Sequence, residues 1–146
     1  MIIHEMDLFD GATDEVEEEI VQVMEDESYD PGDVIIQEGD PADKFYVLRS
    51  GALNVKVVGA TKTTHVAIRA GEAVGWSSLA GRDTYTASVE CAEPSRVWKI
   101  NKDKLDRILR RHSAFGLLFY KRLAGLVGDR LIRCYQELVK LKEERG

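Results

Sequence analysis

The sequence predicts a mainly β domain with flanking helices, and three observations lead to this class. The chain starts with an acidic segment of helical periodicity, continues with short β-branched and aromatic runs divided by glycine and proline, and ends in a long heptad pattern. Short strands with closely spaced turns are typical of all-β barrels and sandwiches. At 146 residues the chain can bury one complete core, so we expect a single domain over residues 1–146.

The N-terminal segment, residues 1–27, is predicted to be helical. In "ATDEVEEEIVQVMEDE", Thr13 is a suitable N-cap, and Asp14 and Glu15 in the first turn interact favourably with the helix dipole. Four apolar side chains fall on one face at helical spacing: Val16, Ile20, Val23 and Met24. An amphipathic helix is therefore expected to follow Thr13.

Residues 28–100 are predicted to form the β region. Its turn signals are Pro31-Gly32-Asp33, Gly39-Asp40-Pro41, Ser50-Gly51, Gly59 and Gly71. The segment "TASVECAEPSRVWKI" continues the strands up to Asn101, which is a suitable cap for the next helix. We expect residues 101–146 to form C-terminal helices, with the last one covering the chain from Ser113 onward.

The last helix carries a heptad pattern. Its apolar positions step alternately by three and four residues and are Leu117, Tyr120, Ala124, Val127, Leu131, Cys134, Leu138 and Leu141. This spacing is typical of an a/d seam. Two interpretations stay open, because the seam could pack against the β region of its own chain or pair with a partner. We favour a partner for the last half and expect a homodimer through Leu131, Cys134, Leu138 and Leu141.

The composition indicates a globular chain without targeting segments. The N-terminus "MIIHEMDLFDG" lacks the basic flank and apolar run of a signal peptide, and no apolar stretch is long enough to span a bilayer. Two cysteines, Cys91 and Cys134, are too few for a disulfide scaffold and are expected to be reduced thiols. We therefore expect a cytoplasmic protein with no membrane partner.

The charges are unevenly distributed along the chain, whose net charge is −6. Residues 1–50 hold 16 acidic and 2 basic side chains, whereas residues 96–146 hold 14 basic and 6 acidic ones. A basic end can indicate nucleic-acid binding. Because the basic residues are spread around helices without interleaved aromatic residues, we favour solvated or mutually docked helical faces and expect no nucleic-acid partner.

The residues that could carry chemistry do not indicate an enzyme. A cupin-like metal site would need several histidine and carboxylate ligands converging from strands. The three histidines, His4, His65 and His112, are scattered and form no His-x-His pair. Cys91 is interpreted as a core residue, and no nucleophile motif is present. We expect no catalytic and no metal-binding residues, and a cupin-like enzyme is the least supported alternative.

Several motifs together resemble the cyclic-nucleotide-binding domain family. The stretch "SYDPGDVIIQEGDPADKFYVLRSGALNV" is similar to the family's tyrosine, Pro-Gly-acid, Gly-Asp, Phe-Tyr and Ser-Gly pattern, and "AGEAVGWSSL" is similar to its phosphate-binding cassette. "SRVWKINKDKLDRIL" resembles its last strand and following helix. The family includes bacterial catabolite-activator proteins and the regulatory subunits of cyclic-AMP-dependent kinase. The resemblance implies a β-jelly roll flanked by helices, with the ligand inside the roll and cassette amides facing its phosphate.

The resemblance also implies two charged anchors. In the family, a glutamate directly after the cassette glycine binds the ribose 2′-hydroxyl, and an arginine further along the chain pairs with the phosphate. In one alignment, Gly71 and Glu72 are the glycine and glutamate of the cassette, and Arg82 is the arginine.

In the other alignment, both charged anchors are replaced. Gly75 is then the cassette glycine, Trp76 stands in place of the glutamate and Tyr85 in place of the arginine. We favour this alignment because "TASV" follows Tyr85, and Trp98 lies thirteen residues beyond it, as the family pattern requires. Since a buried pair of arginine and phosphate is a strong polar contact, we expect cyclic AMP to bind weakly or not at all.

The resemblance implies a candidate ligand site at the cassette and under the C-terminal helix. The candidate residues are Gly75, Trp76, Ser77, Ser78, Leu79, Arg82, Tyr85, Thr86, Cys134 and Tyr135. Ser77 and Ser78 could hold a ligand or only cap a short helix. Trp76 and Tyr85 could wall an apolar or aromatic ligand or fill the pocket themselves. Tyr135 could stack on a planar ring or lie on the surface.

These observations predict a non-catalytic regulatory module that binds a small molecule and transmits the change through its C-terminal helix. The ligand could be a cyclic nucleotide, cyclic AMP or cyclic GMP, or another small molecule, and no cofactor is required. The alternative is a ligand-free dimerising adaptor whose pocket is filled by Trp76 and Tyr85. The catabolite-activator branch continues into a helix-turn-helix domain, whereas we expect no DNA-binding domain in residues 1–146.

Overall fold

The computed structural model describes residues 7–56 and 66–145. In chain order these residues form a 3₁₀ turn Asp7–Phe9, α1 Asp14–Val23, β1 Met24–Tyr29, β2 Val34–Ile36, β3 Lys44–Lys56, β4 Val66–Ile68, β5 Ala73–Val74, a second 3₁₀ turn Trp76–Ser78, β6 Ser88–Asn101, α2 Lys102–Arg111 and α3 Ser113–Arg145. The predicted class, mainly β with an N-terminal helix and a long C-terminal helix, is confirmed.

Two long antiparallel strands, β3 and β6, form the centre of the sheet. The strand order is β1-β6-β3-β4, with β2 also paired to β6 and β5 also paired to β3. The β3–β6 register shifts three times between Leu48 and Leu53. Gly51 lies there with φ +96°, and a Cβ at this position would be only 2.2 Å from Ser95 Oγ. The irregular pairing lets both strands bend, because bulges increase local twist and curvature.

Both predicted helix caps are confirmed. The Thr13 side chain accepts a hydrogen bond from the Val16 amide at 3.3 Å. Asn101 Oδ1 accepts from the amides of Asp103 at 3.0 Å and Lys104 at 3.1 Å. Each cap satisfies amide groups that have no partner within the first helical turn.

The first helix is shorter than its apolar pattern suggests. Helix α1 ends at Val23, and Met24, which the helical spacing places on the apolar face, instead begins β1 opposite Ile100. The strand continues through the acidic segment up to Tyr29, which pairs with Ser95. Ladder hydrogen bonds to β6 therefore override the local helical preference, as tertiary context commonly does.

The acidic start and the basic end of the chain contact each other. Lys99 of β6 lies 2.6 Å from Glu27 and 3.3 Å from Glu25 of β1. Near the helices, Glu19 forms ion pairs with Arg111, at 2.6 Å, and with His112. The uneven charge distribution thus includes mutually docked segments.

The core consists of two clusters of buried side chains. One lies inside the roll, which is the curved sheet formed by strands β1 to β6, and it includes Tyr46, Leu53, Tyr85 and Val97. The other lies between the helices and the roll and is centred on Phe119, which is fully buried. The ring of Phe119 contacts other aromatic rings at centroid distances of 5.5–6.4 Å, namely Phe9, Phe45, Phe115 and Tyr120. This aromatic cluster fixes the first half of α3 against the roll.

Most of the heptad seam of α3 lies off the face that packs on the roll. The packed face is formed by Phe115, Phe119 and Leu123, whereas Leu117 of the seam is 75% exposed. From residue 131 to residue 145 every side chain is exposed. The seam is therefore exposed at Leu117 and from Leu131 onward, whereas Val127 packs against the cluster between the helices and the roll. None of the helices in residues 7–56 and 66–145 is both long and apolar enough to cross a membrane.

Candidate functional site

A cavity of about 50 Å³ lies in the roll, which we call the roll cavity. Half of the predicted site residues line it, namely Gly75, Trp76, Ser77, Tyr85 and Thr86. Apolar side chains complete much of the wall, among them Ile36, Val55, Val74 and Val89. Predicted residues from the cassette and from the segment before β6 thus meet at one place.

The entrance to the turn Trp76–Ser78 depends on Gly75. This residue has φ +79°, in the left-handed region, and a Cβ there would lie 2.8 Å from the Lys44 carbonyl oxygen. Both the backbone conformation and the close approach of β3 therefore require glycine. Gly71 also has a positive φ, +89°, but a Cβ added to it would point into open space, with no atom beyond its chain neighbours within 4 Å. Gly71 needs glycine only for its turn.

The hydroxyl groups of the two cassette serines have different positions, because one is bonded within the turn and the other lines the cavity. Ser78 is buried, and its Oγ donates to the Gly75 carbonyl at 2.7 Å, so it closes the turn and does not line the cavity. Ser77 is also buried, with Oγ 3.4 Å from Thr86 Oγ1. These two hydroxyls lie together in the wall of the roll cavity.

Tyr85 holds the roll together as well as lining the cavity. The residue is only 7% exposed. Its hydroxyl donates to the Lys44 carbonyl at 2.7 Å and accepts from the Lys44 amide at 3.0 Å. Burial raises the pKa of the Tyr85 phenol, so the group stays protonated and donating at neutral pH. Both hydrogen-bonding functions of this hydroxyl are thus used by β3.

The remaining predicted site residues do not line the cavity in the single chain. The Leu79 side chain packs against the cluster between the helices and the roll. Arg82 is exposed, and its amide donates to the Ser77 carbonyl at 3.2 Å. Cys134 and Tyr135 are exposed on α3.

Arg130 of α3 lines the roll cavity, although the sequence prediction did not include it. Its Nη2 donates to the Ala73 carbonyl, and its Nε lies 3.5 Å from Glu72 Oε2. Burial lowers the pKa of the guanidinium group, while the neighbouring Glu72 carboxylate opposes that shift. The spacing of residues in the sequence could have identified Arg130. It lies seven residues after Leu123 and therefore on the buried face of α3.

Glu72, the ribose-binding residue of the less favoured alignment, is the partner of this arginine. Its carboxylate is 18% exposed and lies 3.4 Å from Arg133 as well as 3.5 Å from Arg130. Glu72 also accepts from the Arg69 amide at 3.3 Å, which closes the turn before β5. The turn of Glu72 is therefore tied to α3 by two arginines.

Residues 7–56 and 66–145 contain no group of three or more His, Cys, Asp or Glu side chains that could hold a metal ion. His112 pairs with Glu19, whereas His4 and His65 lie outside the described residues. The Cys91 thiol is buried and donates to the Glu93 carbonyl at 2.8 Å, as expected for a core residue.

Comparison with known sequences identifies the family. The sequence profile described as cyclic nucleotide-binding domain matches residues 26–112, more than half of the chain. The chain belongs to this family. The cyclic nucleotide-binding domain is regulatory in kinases and in transcription regulators, and the fold of such domains is the jelly roll predicted from the sequence.

Similar proteins include a protein kinase and a candidate cyclic nucleotide-binding protein. A cGMP-dependent protein kinase from Eimeria tenella is 25% identical over an alignment 145 residues long, and the match covers 88% of this chain and 14% of the kinase. The crystal structure of a candidate cyclic nucleotide-binding protein from Geobacter metallireducens GS-15 matches this chain with a TM-score of 0.78 at 27% identity. The match covers 89% of this chain and 96% of that one.

The regulatory domain of Toxoplasma gondii PKA, crystallised with cAMP, has a TM-score of 0.70 at 20% identity and covers 84% of this chain and 47% of that one. At this identity the likeness concerns the fold alone. The chain spans only a small part of its kinase relatives, 14% of the Eimeria tenella kinase.

Replacing Tyr85 by phenylalanine tests the structural role of its hydroxyl. We expect Tyr85→Phe to lower the free energy of unfolding by about 1–3 kcal/mol, because the Lys44 backbone loses both partners at a buried position. Urea unfolding followed by circular dichroism measures this change. Tyr120→Phe, at a position 37% exposed and outside the last half of α3, is the matched control and should unfold like the wild type. Equal stability of the Tyr85 and Tyr120 variants would show that the two hydrogen bonds contribute nothing.

Proposed function

We propose that this chain is a non-catalytic regulatory module that binds a small molecule in the roll cavity and transmits binding to α3. The observation that carries the proposal is the composition of the cavity wall, which combines cassette residues with Arg130 from α3. A ligand in this cavity contacts the helix as well as the roll. Membership of a regulatory domain family supports the same conclusion.

The ligand we propose is a cyclic nucleotide held in an unusual way or another small molecule. Trp76 and Tyr85 occupy the positions of the family's charged anchors in the favoured alignment, so cyclic AMP should bind weakly. Drug-sized ligands occupy pockets of roughly 300–1,000 Å³. The roll cavity, at about 50 Å³, must therefore widen to receive a whole nucleotide.

A second function is favoured by the same small volume. If the roll stays closed, the protein is a ligand-free adaptor that acts through α3 alone. The anchored hydroxyl of Tyr85 and the partly buried ring of Trp76 both support this alternative, because each ring occupies space beside the cavity. Within either function we place the protein in the cytoplasm, where its two free cysteines, Cys91 and Cys134, would stay reduced.

A thermal-shift screen distinguishes the two functions. The panel contains cyclic AMP, cyclic GMP, their nucleosides and a set of charged and neutral metabolites. A ligand that binds only the folded state raises the melting temperature by mass action, equivalent to about 2.7 kcal/mol at one hundred times its Kd. The regulatory module predicts at least one such shift, with cyclic AMP giving a small one. If every compound leaves the melting temperature unchanged up to millimolar concentration, the adaptor is the better description.

We also propose that two copies of the chain pair through α3. The exposed half of the helix presents six large apolar side chains, each 49–56% exposed, namely Leu131, Ile132, Tyr135, Leu138, Val139 and Leu141. Exposed apolar patches of this kind mark interaction surfaces. The a/d spacing of Leu131, Cys134, Leu138 and Leu141 fits a second copy of the same helix, since a two-fold axis brings identical seams together.

A charge in the seam tests the dimer. Leu138→Glu should shift the protein toward monomer in light scattering, because each new carboxylate faces its own copy at the interface. Gln136→Glu introduces the same charge off the seam and should leave the dimer intact. Circular dichroism confirms that both variants fold. A wild-type protein that is monomeric at tens of micromolar would rule out this pairing.

A further inference from the structure

Among residues 7–56 and 66–145, one cationic side chain lines the roll cavity. This side chain belongs to α3. Arg130 lines the cavity next to apolar side chains and the buried hydroxyl of Ser77. Its side chain is only 14% exposed. A guanidinium group so far removed from water interacts strongly with any anion that reaches it, because the local dielectric constant is low.

The hydrogen-bonding capacity of Arg130 is only partly used. Nη2 donates to the Ala73 carbonyl, and Nε is buried without a hydrogen-bond acceptor in the described part of the chain, since Glu72 Oε2 lies 3.5 Å away. Nη1 donates to no acceptor among the described residues and is not one of their buried unsatisfied atoms, so it has access to solvent. Nη1 and the second N–H of Nη2 therefore remain available to an acceptor with two oxygens.

The charges around Glu72 leave a positive excess. The guanidinium groups of Arg130 and Arg133 both lie within 3.5 Å of the single Glu72 carboxylate. Two positive charges against one negative charge leave one unit uncompensated among these three side chains. Of these three residues Arg130 alone lines the cavity, so an anion bound there would balance part of this excess.

We infer that Arg130 is the anion-binding group of the roll cavity and that the ligand presents a pair of anionic oxygens, from a phosphodiester or a carboxylate. The inference rests on the proposed function, and it specifies which residue receives the charged end of the ligand. The apolar walls at Val74, Val89 and Trp76 suit a ligand whose remaining surface is apolar or aromatic. The cation of the site thus comes from the helix instead of the cassette.

Glu72 has the opposite effect on the same ligand. Its carboxylate holds Arg130 in position but repels a second anion at short range. Replacing Glu72 by the isosteric glutamine keeps a hydrogen-bond acceptor and removes the repulsion. Anion affinity should therefore fall when Arg130 loses its charge and rise when Glu72 loses its charge.

The experiment compares charged and neutral probes of matched shape. The probes are cyclic GMP against guanosine, cyclic AMP against adenosine, and benzoate against benzamide, with binding measured by calorimetry. For the wild type we expect at least one anion to bind more tightly than its neutral counterpart. Cyclic nucleotide binding without benzoate binding would assign the phosphodiester as the ligand group, and the reverse would assign the carboxylate.

The variants test the residue. For the binding anion we expect Arg130→Gln to weaken affinity at least about tenfold, as loss of a hydrogen bond to a charged group does. Arg130→Lys should lie between Arg130→Gln and the wild type, because a lysine keeps the charge without the planar pair of donors. Glu72→Gln should tighten binding about threefold or more.

Arg122→Gln is the matched control. Arg122 lies on the same helix and contacts both the backbone carbonyl and the carboxylate of Asp10, as Arg130 contacts Ala73 and Glu72. It does not line the roll cavity, so its loss should leave anion affinity unchanged. Circular dichroism confirms folding of each variant, and Glu72→Gln tests the charge effect even if Arg130→Gln is unstable.

Two results would overturn the inference. The first is an anion that binds Arg130→Gln and the wild type with equal affinity. The second is that the wild type binds no charged probe more tightly than its neutral counterpart, which includes the case in which no probe binds. If the neutral probes bind as well as the anions, the inference fails while the proposed ligand-binding function stands. If no compound of the wider thermal-shift panel binds, both fail.

Discussion

The antiparallel pairing of β3 with β6 is the constraint on which the rest of the structure depends. These strands run from Lys44 to Lys56 and from Ser88 to Asn101, and every other described strand pairs with one of them. The chain between them must therefore fold back onto β3, which brings the turn Trp76–Ser78 close to Lys44. The same strand supplies the backbone groups that bind the Tyr85 hydroxyl. One pair of strands thus builds the roll and positions the wall of its cavity.

Helix α3 serves three purposes along its length. Its first turns bury aromatic side chains around Phe119, its middle places Arg130 beside Glu72 at the cavity, and its last turns expose an apolar seam. Because these parts belong to one continuous helix, a change at Arg130 acts on an element that also carries the proposed dimer surface. This continuity gives a physical route from the proposed ligand to the proposed partner without requiring a separate domain.

Local features of the sequence predicted local structure well, whereas contacts between distant parts of the chain were not predicted. The caps at Thr13 and Asn101 depend on neighbouring residues, so their sequence signals were sufficient. The face by which α3 packs was not predicted, because the helix has apolar residues on two faces and the heptad spacing marks only one. Arg130 was missed for a related reason. A single arginine in a basic helix resembles a solvated charge until the fold brings Glu72 and Ala73 against it. The hydrogen bonds of Tyr85 to Lys44 span 41 residues and leave no sequence pattern.

The side-chain NMR signal of Arg130 Nε–H tests the central role of this residue most directly. This proton is buried and should exchange slowly with water, and its signal is assigned by its loss in Arg130→Lys. On titration with the anion that calorimetry selects, the Arg130 signal should shift in step with the amide signals of Ser77 and Thr86, while the Arg122 signal stays in place. Saturable shifts at Ser77 and Thr86 with an unchanged Arg130 signal would contradict the assignment of Arg130 as the group that binds the ligand's charge.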